Sequence, residues 1–182
     1  MATRREYNQL QAYARIDGAQ VALLWIISFA CFILQFRYTL LGFVSLIFGV
    51  ASLLLATMRV RRFRDAVRDG LLSFGQAFIY GLFIYLYASL LFALAQYLYF
   101  QFIDGGFMVS HYLSVVSTDE YRQAMAIYGL NESDIKVAME NISAMSPIEI
   151  AMQFFSVNVI MGAVISLPVA LIMQRRNNRL RR

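Results

Sequence analysis

The sequence predicts an all-α membrane protein: a four-transmembrane-helix bundle with two short amphipathic helices in the outer loop between helices three and four. Three observations lead to this class. The chain is 60% hydrophobic and only 15% charged, whereas soluble domains are about 45–50% apolar and about 25% charged. The apolar residues are concentrated in four windows that contain no charge, and most arginines lie beside the ends of those windows.

Each window is long enough to cross a bilayer. A hydrocarbon core about 30 Å thick requires roughly 20 apolar residues in a helix. Because backbone polar groups in lipid must be satisfied internally, we expect helices and not open strands. Residues 1–182 are therefore predicted to form a single integral membrane domain. Its spans lie at about 18–36, 39–58, 74–102 and 150–173, and its outer helical segment lies at 104–149.

The first two spans are separated by a single charged residue, Arg37. One helix through both windows would be about 60 Å long, about twice the thickness of the hydrocarbon core. The chain should therefore turn near residues 35–39, with Arg37 at the interface. The first window is longer than the roughly 7–15 apolar residues of a signal peptide and lacks a following Ala-x-Ala-like site, so we expect a span there.

Arginine placement predicts the orientation of the spans. Basic residues precede the first span and follow the second and fourth, whereas the outer segment is mainly acidic. Because short basic loops remain cytoplasmic, both termini are expected inside. The net charge of +5 is then explained by orientation and by attraction to the anionic surface of the lipid bilayer, and we expect no nucleic-acid partner.

Small residues form rows on the predicted second, third and fourth helices. Lipid offers no hydrophobic drive for helix association, so small residues that let backbones approach are expected to pack the bundle. The alternative is a substrate groove with Asn158, Gln76 and Ser166 as its polar lining. Pro168 would then act as a flexible point in the fourth helix. The predicted packing residues are Gly42, Ser45, Gly49, Ser52, Gly81, Gly162 and Ser166.

The link between the second and third spans, RVRRFRDAVRDG, is strongly basic. Ser73, with Gln76 three residues later, matches a capping box that would satisfy the first N–H groups of the third helix. The alternative is a lipid-headgroup site built from that helix N-terminus and the neighbouring arginines. The candidate headgroup contacts are Arg61, Arg62, Arg64, Arg68, Ser73 and Gln76.

The outer segment contains patterns for two short helices. Ser117 and Glu120 form a capping-box pattern for the first, and Asn131 is a candidate cap for the second, which carries one apolar stripe. Such helices either lie on the bilayer or cap the bundle. Ser146 and Glu149 form a further box that begins the fourth helix.

Residues that could perform chemistry are few. Cys31 is the single cysteine and lies inside an apolar window, and no Cys/His cluster has the spacing of a metal site. There is no phosphate-binding glycine loop or nucleophile elbow, so we expect no cofactor and no enzymatic activity. A membrane enzyme would have to use Asp104, His111 and Glu120 on the outer side.

Two segments resemble a known family. RRFRDAVRDGLLSFGQAFIYG, and YFQFID at the far end of the same predicted helix, resemble the bacterial membrane family of unknown function DUF4199. The likeness covers roughly residues 12–175. Members often have a proline after the aspartate near the end of the third helix, whereas here Gly105 follows Asp104. The resemblance implies a bacterial inner-membrane protein and supplies no catalytic residues.

These patterns favour a non-enzymatic subunit or scaffold for envelope proteins, acting as a homo-oligomer or with another membrane protein. One alternative is a small transporter or lipid-handling protein. The other is a membrane enzyme that uses the outer acids.

Overall fold

The computed structural model describes residues 4–118, 121, 127 and 132–175. In this part of the chain the fold is all-α, without strands, and four helices are long and apolar enough to cross a membrane. The predicted fold class is therefore confirmed. The elements are α1 (Arg4–Leu34), α2 (Leu40–Arg62), a π-helix (Phe63–Val67), α3 (Phe74–Phe102), α4 (Phe107–Val116), α5 (Glu132–Ala144) and α6 (Pro147–Met173).

The helix α1 begins well before the first charge-free window. Charged residues such as Arg15 and Asp17 interrupt an apolar window but not a helix, because charge affects transfer into lipid and leaves the helical backbone bonds intact. The chain then turns between α1 and α2, where the Arg37 and Tyr38 amides donate to the Leu34 carbonyl at 3.1 and 2.9 Å. The guanidinium of Arg37 lies over the Tyr38 ring, 5.7 Å from its centroid.

The connection from α2 to α3 is tightly ordered by backbone bonds. Asp69 and Gly70 both have positive φ, 49° and 77°, and the Gly70 amide donates to the Arg64 carbonyl at 2.9 Å. Leu72 then pairs with Arg175 as an isolated antiparallel bridge, with N–O distances of 3.1 and 2.8 Å. The link therefore contacts the segment directly after α6.

The chain divides into two compact units. The first contains residues 1–93 and 154–182, and the second contains residues 94–153. Among the membrane-length helices α3 is the most enclosed, since 44% of its apolar window is buried, against 22% for α1, 17% for α6 and 11% for α2. In the first unit α3 is therefore the central helix, and α2 and α6 present most of their apolar surface to their surroundings.

The second unit contains a helix that the sequence patterns did not reveal. The Asp104 carboxylate accepts bonds from the Gly106 and Met108 amides at 3.1 and 3.2 Å and from the Tyr99 hydroxyl at 3.0 Å. The same aspartate that follows the end of α3 thus satisfies the first donors of α4. The available signal was an aspartate and two glycines before an apolar run.

The structure describes the two predicted outer helices to different extents. Most of the first, which begins at Ser117 and includes Glu120, lies outside the described residues, as does Asn131. The second corresponds to α5. At the start of α6, the Ser146 amide donates to the Glu149 carboxylate at 2.7 Å, so this half of the predicted box is confirmed.

Candidate functional site at the basic end

Several charged side chains of the first unit meet at one end, where α2 ends and α3 begins; we call this the basic end. Asp17 of α1 is only 8% exposed. Its carboxylate accepts a short bond from the buried Tyr80 hydroxyl and lies 3.7 Å from the Arg59 guanidinium. A buried carboxylate is costly unless it is paired. The three side chains therefore tie α1, α2 and α3 together.

Aromatic packing surrounds this tie. The ring of Tyr80 stacks on Phe63 with centroids 4.1 Å apart, and Phe63 also meets Tyr13 edge-on at 5.8 Å. The rings exclude water from the Tyr80–Asp17 bond, which strengthens it relative to a bond in water.

Arg64 forms a second tie, to the end of α6. Its Nε and Nη2 donate to the two oxygens of Asp65 at 2.7 and 3.1 Å, and Nη1 donates to the Met173 carbonyl at 3.3 Å. Arg64 is 5% exposed. Because the last carbonyls of a helix lack internal partners and carry partial negative charge, this guanidinium acts as the cap of α6.

A third tie joins the link to the start of α1. The Arg68 guanidinium donates to the Glu6 carboxylate at 2.8 Å, and the two side chains are 14% and 36% exposed. Together, the three ties connect all four helices of the first unit at the basic end.

The six candidate headgroup residues have different surroundings. Ser73 and Gln76 bond to each other's backbone amides at 3.2 and 3.3 Å, which is the capping box. Arg64 and Arg68 are engaged in the ties. Arg61 faces outward, with 69% of its side chain exposed and its Nε 3.7 Å from Asp65. The sixth residue, Arg62, is also exposed.

Two of the predicted packing serines, Ser45 and Ser52, lie between α1 and α2. The Trp25 indole N–H donates to the Ser52 hydroxyl at 2.8 Å, and Ser52 donates in turn to the Gly49 carbonyl at 2.6 Å. The Ser28 hydroxyl donates to the Ser45 carbonyl at 2.8 Å. The small-residue row of α2 thus carries hydrogen bonds between the helices as well as close contacts.

The glycines of α3 and α6 permit a close approach of these helices. A Cβ at Gly81 would lie 2.7 Å from the Ser166 hydroxyl, and one at Gly162 would overlap the Tyr85 side chain. The tightest backbone approach, however, involves Gly18 of α1, which was not among the predicted packing residues. A Cβ there would lie 2.7 Å from the Ile84 carbonyl oxygen.

Two members of the polar row considered as a groove lining, Gln76 and Ser166, make local hydrogen bonds. Gln76 is engaged in the capping box, and the Ser166 hydroxyl donates to the Gly162 carbonyl of its own helix at 2.7 Å. The crevice between α2, α3 and α6, which Thr57 and Tyr85 help to line, has no room for a water molecule. The close packing of the glycines explains its narrowness.

The residues considered for outer-side chemistry have the following surroundings. Asp104 is occupied by the cap of α4, the His111 ring stacks on Phe107 at 5.7 Å, and Glu120 lies outside the described residues. Within those residues no group of three or more His, Cys, Asp or Glu side chains could hold a metal ion.

Comparison with known proteins adds one finding. A family model described as "Protein of unknown function (DUF4199)" matches residues 17–175. No curated protein and no solved structure matches the chain. The matched range begins at Asp17 and ends at Arg175, so it includes the basic link and all four membrane-length helices except the start of α1.

Proposed function

The chain belongs to this family of unknown function, and from that premise we propose that it is a non-enzymatic membrane subunit or scaffold for other envelope proteins or for further copies of itself. The observation that carries the proposal is the use of buried charge at the basic end. Asp17, Arg64 and Arg68 are each bonded to another helix or to its end. They hold helices together.

This arrangement favours a structural role over catalysis or transport. An enzyme or transporter requires a concave site with convergent polar groups, usually with perturbed or accessible titratable side chains. In the first unit the corresponding crevice is closed by glycine contacts. In the second unit the carboxylate of Asp104 is occupied by backbone donors.

A subunit also needs a surface for its partner. Near the start of α2, one face of the helix carries Phe43, Leu46 and Ile47. These side chains are 64–67% exposed. Their spacing of three and four residues is that of a helix-packing stripe. We propose that this stripe contacts a transmembrane helix of the partner or of a second copy.

The test uses the full chain with Cys31→Ser and one introduced cysteine. We expect Leu46→Cys to crosslink in native membranes to a second copy or to one defined partner. Leu90→Cys, on an exposed position of α3, is the matched control. Equal crosslinking of both variants, or a strictly monomeric protein without a partner in mild detergent, would reject the proposal.

We further propose that the protein lies in the bacterial inner membrane with both termini cytoplasmic. The support is the arginine distribution, since short basic loops remain inside. With Cys31→Ser as background, the single variants Glu120→Cys and Arg179→Cys should be labelled by an impermeant reagent from opposite sides of the membrane. Labelling from the same side would contradict this orientation.

A further inference from the structure

We propose that the exposed arginines of the basic end bind the phosphate of one anionic phospholipid, held between the ends of α2 and α6. The inference does not rest on the subunit role, because the partner stripe of Phe43, Leu46 and Ile47 lies near the start of α2, whereas the lipid phosphate is placed at its end. It rests on the charges around Asp65 and on the apolar surface beside them. It also reduces the six sequence candidates to Arg61. It adds Arg175, which belongs to the basic residues after the fourth span that the sequence patterns linked to orientation and to general attraction to the bilayer surface.

The first observation is a surplus of positive charge. Arg61 and Arg64 both pair with the single carboxylate of Asp65, and the exposed Arg175 follows the end of α6 that Arg64 caps. Arg64 occupies both oxygens of Asp65 with bonds of 2.7 and 3.1 Å. Arg61 remains 3.7 Å away, beyond hydrogen-bond distance. The guanidinium of Arg61 therefore has donors that Asp65 does not satisfy.

The second observation is that the arginines stand on a rigid support. Arg175 is held by two backbone bonds to Leu72, at 2.8 and 3.1 Å, while the end of α6 is capped by Arg64. Both exposed guanidiniums thus extend from positioned backbone. Guanidinium groups bind phosphate oxygens in a bidentate manner, which makes a phosphate the matching anion.

The third observation identifies a lipid as the source of that phosphate. Val50 and Leu54, 58% and 61% exposed, lie on the face of α2 that ends in Arg61. Leu171, 59% exposed, lies on the last turn of α6, four residues before Arg175. From Val50 to Arg61 the helix rises about 16 Å, which is about half of the hydrocarbon core. An acyl chain of one leaflet fits this row with its phosphate at the arginines.

The experiment measures lipid binding by native mass spectrometry of the full chain. The Kd values for phosphatidylglycerol and for phosphatidylcholine are measured with the unaltered chain and with the double variant Arg61→Gln/Arg175→Gln. The control, Arg62→Gln/Arg37→Gln, removes the same charge elsewhere. We expect the Kd for phosphatidylglycerol to rise about 10- to 30-fold in the first variant, as two arginine contacts are lost, and to change less than about threefold in the control.

Three results would overturn the inference. Equal effects of the two double variants would show a diffuse basic surface. Equal binding of phosphatidylcholine would show that no anion is selected. Displacement of the lipid by millimolar inorganic phosphate alone would indicate a site for a soluble anion. Unfolding temperatures of both variants, measured in the same detergent, exclude loss of fold as the cause.

Discussion

Replacing Arg64 by methionine tests the cap of α6 most directly. Methionine keeps an unbranched apolar stem that can remain buried, but it removes the three donors. The Met173 carbonyl then loses a charged donor, and a charged hydrogen bond contributes about 1.5–3 kcal/mol. The loss of a cation at a helix C-terminus adds about 0.3–1 kcal/mol. Asp65 also loses its partner, but its side chain is 46% exposed and can be solvated by water. This loss therefore adds little to the destabilisation.

The net expectation is a loss of about 2–3 kcal/mol in the free energy of unfolding, since the methionine stem retains part of the packing. For a chain of this size that corresponds to a fall in Tm of about 4–12 °C. The assay is thermal unfolding in detergent, combined with amide hydrogen exchange of residues 165–175. Arg62→Met is the control, because it removes an exposed arginine two residues away.

Arg64→Lys adds a finer test of geometry. A single ammonium cannot reproduce the bidentate contact with Asp65 and the bond to Met173 together, so we expect an intermediate Tm. If Arg64→Met and Arg62→Met unfold at the same temperature, with equal exchange at the end of α6, the capping role of Arg64 is wrong.

Three further predictions concern the other contacts. Gly18→Ala should lower the free energy of unfolding by about 1–3 kcal/mol, because the added Cβ meets a backbone carbonyl. In the control Gly75→Ala the added Cβ has nothing within 4 Å, so the free energy of unfolding should rise by up to about 1 kcal/mol. Equal unfolding temperatures of the two variants would contradict the close approach of α1 and α3. Tyr80→Phe should cost about 1–3 kcal/mol in chemical unfolding, because buried Asp17 loses a donor; an unchanged midpoint would argue against the tie. Asp104→Ala should cost about 0.5–2 kcal/mol and speed amide exchange at the start of α4, and unaltered exchange there would show that the cap is dispensable.

Local patterns predicted much of the fold. The capping box at Ser73 and Gln76 involves residues three apart, so its bonds depend on the backbone of one helix turn. The turn near Arg37 follows from the length of two adjacent windows and the bilayer thickness. The helix α4 was not predicted, because within the segment 104–149 the capping patterns at Ser117 and Asn131 indicated only two later helices.

The candidate site was predicted less well, because its residues are distant in sequence. Arg61 and Arg64 look alike in RVRRFRDAVRDG. One signal was available: Ser52, Ala56 and Val60 are buried at intervals of four residues, and Arg64 continues that row. Extending the small-residue stripe of α2 by two turns would have indicated that Arg64 faces inward.

The sequence by itself determined the helical class, the four membrane-length helices and the basic composition of one end, because these follow from apolar length and charge within single segments. Only the tertiary structure decided which charged side chains hold helices together. Asp17 meets Tyr80, 63 positions later, and Arg64 meets the Met173 carbonyl, 109 positions later. Such pairs form only when helix packing brings them together, since no local backbone geometry relates residues so far apart.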